Sequence, residues 1–273
     1  YEKISDVNVY TLFPAAKNIL YKLAKHLYIN LRIDILIRYI TLKKIQIKYD
    51  TIVSFLEGDS LLYHSFLYDN ANVNVSWVHT DFVENHWSER HFVGDDEFKA
   101  YTSLNKLVFV SEYAKKQFAK VFDLPHTVKQ YVCANVINVD EIKTKSLEPI
   151  NDIIKTKFTI CSVGRLEEVK GYDMVINAAK VLKERNVDVD FWILGTGSQE
   201  KQLKEQLRQS QCEDMVHFLG YKDNPYPYMK SADVYLSSSY AEGLPLVLCE
   251  ARCLGKPIIA TKTIGALELL KNY

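Results

Sequence analysis

An α/β protein made of two doubly wound parallel-sheet domains is predicted by three observations. The chain carries short, nearly continuous apolar runs, a helical pattern separates each successive pair, and small or charged residues follow the runs of the second half directly. A length of 273 residues, with 34 Lys+Arg against 34 Asp+Glu and 48% hydrophobic residues, suits two domains of an ordinary globular protein. It excludes disordered, collagenous and coiled-coil classes. No stretch of about eighteen residues is free of charge, and the beginning of the chain lacks the zones of a signal peptide, so a cytoplasmic protein is expected. The chain opens at Tyr1 without Met and stops at Tyr273 on a helical pattern, so residues missing at both ends are expected. The five cysteines, at 133, 161, 212, 249 and 253, form no CxxC pair and no close framework, and read as free thiols.

Residues 15–49 hold eight bases (Lys17, Lys22, Lys25, Arg32, Arg38, Lys43, Lys44, Lys48) and one acid, Asp34, a local charge of +7 in a chain of zero net charge. Ile19, Leu20, Leu23, Leu27, Leu31, Ile35, Ile37 and Ile40 recur at spacings near three and four, which predicts one or two basic amphipathic helices. Such helices either pack on their own domain with a solvated basic face or rest on anionic lipid. Strands are then expected at 50–55, 72–78 and 106–111, with helices at about 59–68 and 112–122. After a polar stretch at 138–157, a second series of strands is expected at 158–163, 188–194, 215–219, 233–237 and 256–260. Two domains, 1–150 and 151–273, follow from this layout.

In open parallel sheets ligands bind beyond the carboxyl ends of the strands. There the second series carries Gly164 to Gly171 (GRLEEVKG), Gly195-Thr196-Gly197, Gly220-Tyr221, the run SSYAEGLPLVLCE, and Thr261 to Gly265 with Glu268 just beyond. Arg165 and Lys170 flank a turn that glycines permit, and two cations suit a diphosphate, although alone they also read as a solvated loop. The apolar segment after Pro245 predicts a helix whose first free amides favour an anion. Glu242 and Glu250, eight apart, can accept the hydroxyls of a sugar and a ribose, or form a solvated helix face.

These residues resemble the donor-binding half of GT-B retaining glycosyltransferases, family 4. The motifs that carry the resemblance are GRLEEVKG, the Gly195–Gly197 turn and E-x7-E within AEGLPLVLCEA, continuous over about 158–270. WVHTDF (77–82), FVSEYAKKQF (109–118) and ANVIN (134–138) resemble the acceptor-side domain more weakly. At Asn135 to Asn138 the chain departs from the family's glycine-then-aspartate pattern, and the glycine-rich loop of a first strand is not found. The resemblance implies two Rossmann-like domains facing a cleft, an incomplete acceptor-side domain over 1–150 and an incomplete donor-binding domain over 151–273. It implies that Arg165 and Lys170 hold the diphosphate, that Glu250 holds the ribose, and that Glu242 with the backbone of Gly243, Leu244, Leu246 and Val247 holds the donor sugar and phosphate. Gly164, Gly195 and Gly197 would line the site, and Phe218, Gly220 and Tyr221 would frame the base. His79 would lie near the reacting sugar carbon, the alternative being a strand-end histidine satisfied by hydrogen bonds. On this resemblance His79, Glu242, Arg165 and Lys170 are the catalytic set.

The implied activity is transfer of a sugar, with retention and without a metal, from a nucleotide-diphosphate sugar, UDP-hexose or UDP-N-acetylhexosamine. The acceptor would be a glycan or a polyprenyl-linked oligosaccharide in bacterial cell-surface polysaccharide synthesis. No cofactor and no nucleic acid enter this reading. Residues 15–49 would dock on an anionic membrane surface, making the protein peripheral on the inner face of the cell membrane. The rivals are a nucleotide-sugar epimerase or hydrolase, and a non-catalytic sugar-nucleotide-binding partner subunit. Asp188-Val189-Asp190 spells a metal-binding DxD but opens a strand, at the edge away from the expected ligand. His79, Asp81, His86 and His91 match no trusted zinc spacing. Gly195 to Glu200 lacks the third glycine of a dinucleotide fingerprint.

Overall fold

The computed structural model describes residues 19–271, and it forms two compact units. The first consists of the chain up to His79, His86–Phe109 and Phe118–Cys133; the second of Thr80–Asn85, Val110–Gln117 and the chain from Ala134 onward. The last changeover lies at Cys133/Ala134, and the polar stretch after 138 folds with the second unit, whereas the sequence layout put the boundary at 150.

In the first unit, helices α1 (Ile19–Leu31) and α2 (Ile35–Lys44) precede a parallel sheet of β1 (Tyr49–Ser54), β2 (Ala71–Val78), β3 (Lys106–Phe109) and β4 (Lys129–Val132), in the order β1-β2-β3-β4. The crossovers are α3 (Asp59–Ser65), α4 (Asp96–Thr102) and α5 (Glu112–Val121). β2 and β3 bury Val75, Val78, Leu107, Val108 and Phe109. Phe118 stacks edge-on against Tyr101 at 4.9 Å and Phe109 at 5.2 Å, a geometry that adds about 0.5–1.5 kcal/mol per pair beyond area burial. Strand β4 and helix α4 were not expected from sequence, and the run at 106–111 stops as a strand at Phe109. Lys17 lies outside the described residues.

The second unit begins with α6 (Val139–Lys145), which Asn138 caps by accepting the Glu141 amide at 3.1 Å. Five parallel strands follow: β5 (Phe158–Val163), β6 (Val189–Leu194), β7 (Val216–Gly220), β8 (Val234–Ser237) and β9 (Ile258–Ala260). They are connected by α7 (Tyr172–Glu184), α8 (Glu200–Ser210), α9 (Tyr226–Ser231) and α10 (Leu246–Cys253), and α11 (Ile264–Leu270) follows. Every residue of β6 is buried. Phe191 and Ile193 join one core cluster with α7 and α8, while Trp192 and Leu194 join another with α9 and α10, the period of two expected of a strand covered on both faces. Each such large side chain contributes roughly 1.5–3 kcal/mol when fully buried. The sheet order is β7-β6-β5-β8-β9, so the chain reverses direction across the sheet between β5 and β8. A doubly wound sheet opens its ligand crevice at that switch point.

Candidate functional site

The segments leaving β5 and β8 meet over the switch point. Ser238 Oγ donates to the Lys170 carbonyl at 2.8 Å, and the Tyr240 amide donates to the Val169 carbonyl at 2.8 Å. The Lys170 ammonium donates to Glu242 Oε1, which also accepts the Ser239 hydroxyl at 2.8 Å. Lys170 and Glu242 are both largely sheltered, whereas Arg165 is exposed. Gly171 makes the approach possible: its φ is +61°, and a Cβ there would lie 2.2 Å from the Ser238 carbonyl oxygen.

The turn after β6 closes against the same loop. Gly195 has φ +137°, and a Cβ on it would lie 1.9 Å from the Gly164 carbonyl oxygen; one on Gly197 would lie 2.4 Å from that of Leu166. The Leu166 amide donates to Thr196 at 2.9 Å, and the Gln199 amide donates to Leu166 at 2.9 Å. Main chain thus lies on main chain just beyond the carboxyl ends of β5 and β6.

Helix α10 starts behind Pro245 with its first amides in the same loop, and the first amides of a helix have no intrahelical acceptor. The Gly265 amide donates to the Glu242 carbonyl at 3.0 Å, holding the Glu242–Pro245 turn from below. Gly243 is buried, Leu246 is exposed, and Val247 packs against the core. On α10, Glu250 accepts the Tyr226 hydroxyl at 3.2 Å. Burial raises the Glu250 pKa, and the Tyr226 hydrogen bond opposes that rise. At the end of β7, Phe218 packs partly into the core, while Gly220 takes φ +71° and Tyr221 stands 69% exposed. Of the three residues expected to frame a base, Gly220 and Tyr221 are therefore the ones presented outward.

In the first unit, His79 follows the last residue of β2. Its amide donates to Glu57 Oε1 at 2.5 Å, and its ring packs edge-on against Phe55 at 4.9 Å. Burial lowers the imidazole pKa, with the Phe55 backbone pulling the other way, so the ring is neutral at pH 7. Among the described residues, His79 Nε2 is a buried atom with no hydrogen-bond partner.

Residues 143–273 match the family Glycosyl transferases group 1. The curated relatives include an uncharacterized glycosyltransferase of Haemophilus influenzae, 28% identical over 84% of this chain and 61% of its own length. They also include the N-acetylgalactosamine-N,N'-diacetylbacillosaminyl-diphospho-undecaprenol 4-alpha-N-acetylgalactosaminyltransferase of Campylobacter jejuni, 35% identical over 50% of this chain and 36% of its own length. The chain spans about half to three fifths of the first curated relatives it matches. Among solved structures, Anabaena HepE in complex with UDP-glucose superposes with a TM-score of 0.67 at 19% identity, covering 86% of this chain and 65% of that one. At that identity the likeness is one of fold, the parallel α/β architecture of GT-B glycosyltransferase structures.

The group 1 segment contains every donor-side residue predicted from sequence, and the fold brings Gly164, Lys170, Gly195, Gly197, Glu242 and Gly243 to the carboxyl edge of one sheet. Asp188 and Asp190 lie at the opposite edge, with Lys157 Nζ 2.9 Å and 3.8 Å from their carboxylates. His86 and His91 do not gather around His79: His86 pairs with Glu97 and His91 with Asp59, each at 2.9 Å. Sequence reasoning missed Ser239, Tyr226 and Glu57, whose partners are 3, 24 and 22 residues away. The one available signal was their type, hydroxyl or carboxylate, beside a strand end or at a helix start. Glu268 was placed on the ligand edge. Within the second unit its carboxylate accepts the Glu112 and Tyr113 amides at 3.3 Å each, capping α5, while Ser111 Oγ donates to the Gly243 carbonyl at 3.4 Å.

Proposed function

We propose that this chain is part of a retaining, metal-independent glycosyltransferase that moves a sugar from a UDP-hexose or UDP-N-acetylhexosamine to a glycan or lipid-linked acceptor in cell-surface polysaccharide synthesis. The observation that carries this reading is the switch point between β5 and β8, where glycines let the loop bearing Lys170 close on the segment after β8, and the Lys170 ammonium pairs with Glu242 just ahead of α10. Negative charge grows on the leaving diphosphate as the glycosidic bond breaks, and donors already aimed there act most strongly on that charge. Arg165 supplies a second, exposed cation. Glu250 takes the ribose hydroxyls, Glu242 takes the donor sugar, and His79 faces the reacting carbon in its neutral form. In this reading the second unit is the donor-binding part, expected at 151–273 from sequence, and the first unit the acceptor-side part, expected at 1–150. The family match and the nucleotide-sugar complexes among the fold relatives support it.

A thermal-shift screen of nucleotide sugars, followed by product mass, tests it. A donor at about 100 times its Kd adds about 2.7 kcal/mol of stability, a shift of several degrees. Transfer undiminished by EDTA is expected. An epimer formed without acceptor, or binding without turnover over an acceptor panel, would replace this function by one of its rivals.

The acceptor reading extends to a membrane. On α1, α2 and the turn between them, Ile19, Leu23, Leu31, Ile33, Ile35 and Tyr39 are exposed beside Lys22, Arg32, Arg38, Lys43 and Lys44, a surface complementary to anionic lipid. Lys25 is not part of it, since it pairs with Asp59 inside its own unit. Among the described residues no helix is long and apolar enough to cross a membrane. The attachment we propose is peripheral, on the cytoplasmic face. Flotation with phosphatidylglycerol vesicles, abolished by reversing Lys22, Lys43 and Lys44, is expected; equal flotation with neutral vesicles would end this proposal.

A further inference from the structure

The hydrogen-bond ladder of the first sheet runs out before His79. The last pair between β1 and β2 is Ser54 with Ser76, and the last between β2 and β3 is Val78 with Phe109. The His79 amide therefore lies beyond both neighbouring strands, at the point where the backbone must hold the imidazole in one orientation. A buried amide without an acceptor costs about 1–3 kcal/mol, and here the acceptor is a side chain. Glu57 Oε1 takes the His79 N–H at 2.5 Å, and the Glu57 residue is 2% exposed.

Glu57 is itself fixed. Gly58 follows with φ +68°, and a Cβ there would fall 2.8 Å from the Trp87 ring, so the chain turns sharply against that indole immediately after Glu57. Asp59, the first residue of α3, is then anchored by Tyr21, Lys25 and His91. Two residues before Glu57, Phe55 packs on the imidazole of His79. The turn after β1 thus grips His79 twice, by its amide through Glu57 and by its ring through Phe55.

We infer that Glu57 is a positioning residue for His79: its carboxylate replaces the missing strand neighbour and fixes the peptide from which the imidazole and the His79 carbonyl are presented to the reacting sugar. This rests on the proposed glycosyl transfer for its kinetic consequence, and on the geometry alone for its structural one. Misplacement of a group that acts only near the transition state lowers kcat and leaves donor KM largely unchanged.

The test compares Glu57→Leu, which fills the space and cannot accept, with Glu57→Gln, which keeps an acceptor oxygen. Using the donor and acceptor found by the screen above, Glu57→Leu is expected to lower kcat about tenfold to a hundredfold with donor KM within about twofold, and Glu57→Gln to recover most of that loss. Independently of activity, the His79 imidazole resonance, assigned through His79→Gln, should shift and titrate at a different midpoint in Glu57→Leu and return toward wild type in Glu57→Gln. Wild-type kcat in Glu57→Leu, or an unmoved His79 resonance, overturns the inference. So does an equal rise in donor KM. A His79→Gln protein with wild-type turnover would instead remove His79 from the proposed reaction, and the resonance would still report on Glu57.

Discussion

Lys170 and Glu242 form an ion pair that joins the loop after β5 to the loop after β8, across the switch point of the second sheet. The carboxylate oxygen that accepts the ammonium also accepts Ser239, so the cation is oriented before any ligand arrives. On the proposed function, an arriving diphosphate would add a second acceptor for the same ammonium, and Glu242 would be left to engage a neutral hydroxyl.

Lys170→Ala and Arg165→Ala are therefore expected to reduce turnover by about tens to thousands of fold, the cost of removing one partner of a charge-assisted contact made strongest in the transition state. Steady-state kinetics with the identified donor decide this, and near-wild-type rates in both variants would strip the cations of their role.

Gly195→Ala should damage the site through the backbone. The added methyl would lie 1.9 Å from the Gly164 carbonyl oxygen at a φ of +137°, so the two turns must part. A fall in Tm with loss of nucleotide-induced stabilisation is expected from calorimetry. The same substitution at Gly94, where nothing lies within 4 Å, carries only the strain of its φ of +56° and should leave nucleotide binding intact.

Tyr226→Phe removes the hydroxyl that Glu250 accepts. A lost hydrogen bond of about 1 kcal/mol corresponds to roughly a fivefold rise in donor KM, with kcat little changed. Burial already raises the Glu250 pKa, so its carboxylate is lost, and donor affinity with it, at a higher pH than for an ordinary glutamate near about 4.3. The Tyr226 bond favours the charged form, so Tyr226→Phe should move that acid limb higher still. Calorimetric titration of a nucleoside diphosphate between pH 4 and 8 reads both effects, and an unmoved limb counts against the assignment.

Asp59 offers a stability test in the first unit. Burial alone would raise its pKa, but hydrogen bonds from His91, Lys25 and Tyr21 and the Lys25 charge outweigh it and hold the carboxyl far below its usual range. A depressed folded-state pKa contributes stability that is present above the unfolded value, about 3.9, and lost as pH falls toward the folded one. Asp59→Asn should therefore cost about 1–3 kcal/mol at pH 7, with the deficit shrinking below about pH 4. A deficit constant from pH 7 to pH 3 would show that the charge is not its source.

The second sheet was legible because its strands are apolar runs closed by glycine, serine or threonine; β5 coincides with the predicted 158–163. Strand β4 was not, because only Gln130 of its four residues is even partly sheltered and no alternation is left to read. Helix α6 hid in a polar stretch because it buries a single side chain, Ile142. Arg165, Lys170 and Glu242 could be found from their place after a strand, since parallel topology sends all strand ends to one edge. Glu57, Ser239 and Tyr226 could not. Their importance lies in what they touch, and a tertiary contact leaves no periodic trace in the chain.

Helix α5 begins in one compact unit and finishes in the other, and Glu268 seals its first turn. The chain passes between the units several times before Ala134, so no single cut separates them. A fragment starting at Ala134 would leave the Glu268 carboxylate and the Gly243 carbonyl without the short segment 110–117 that meets them. Chimeras that exchange the first unit while keeping the second intact must therefore carry 80–85 and 110–117 with the segment from Ala134, as three spliced pieces rather than one.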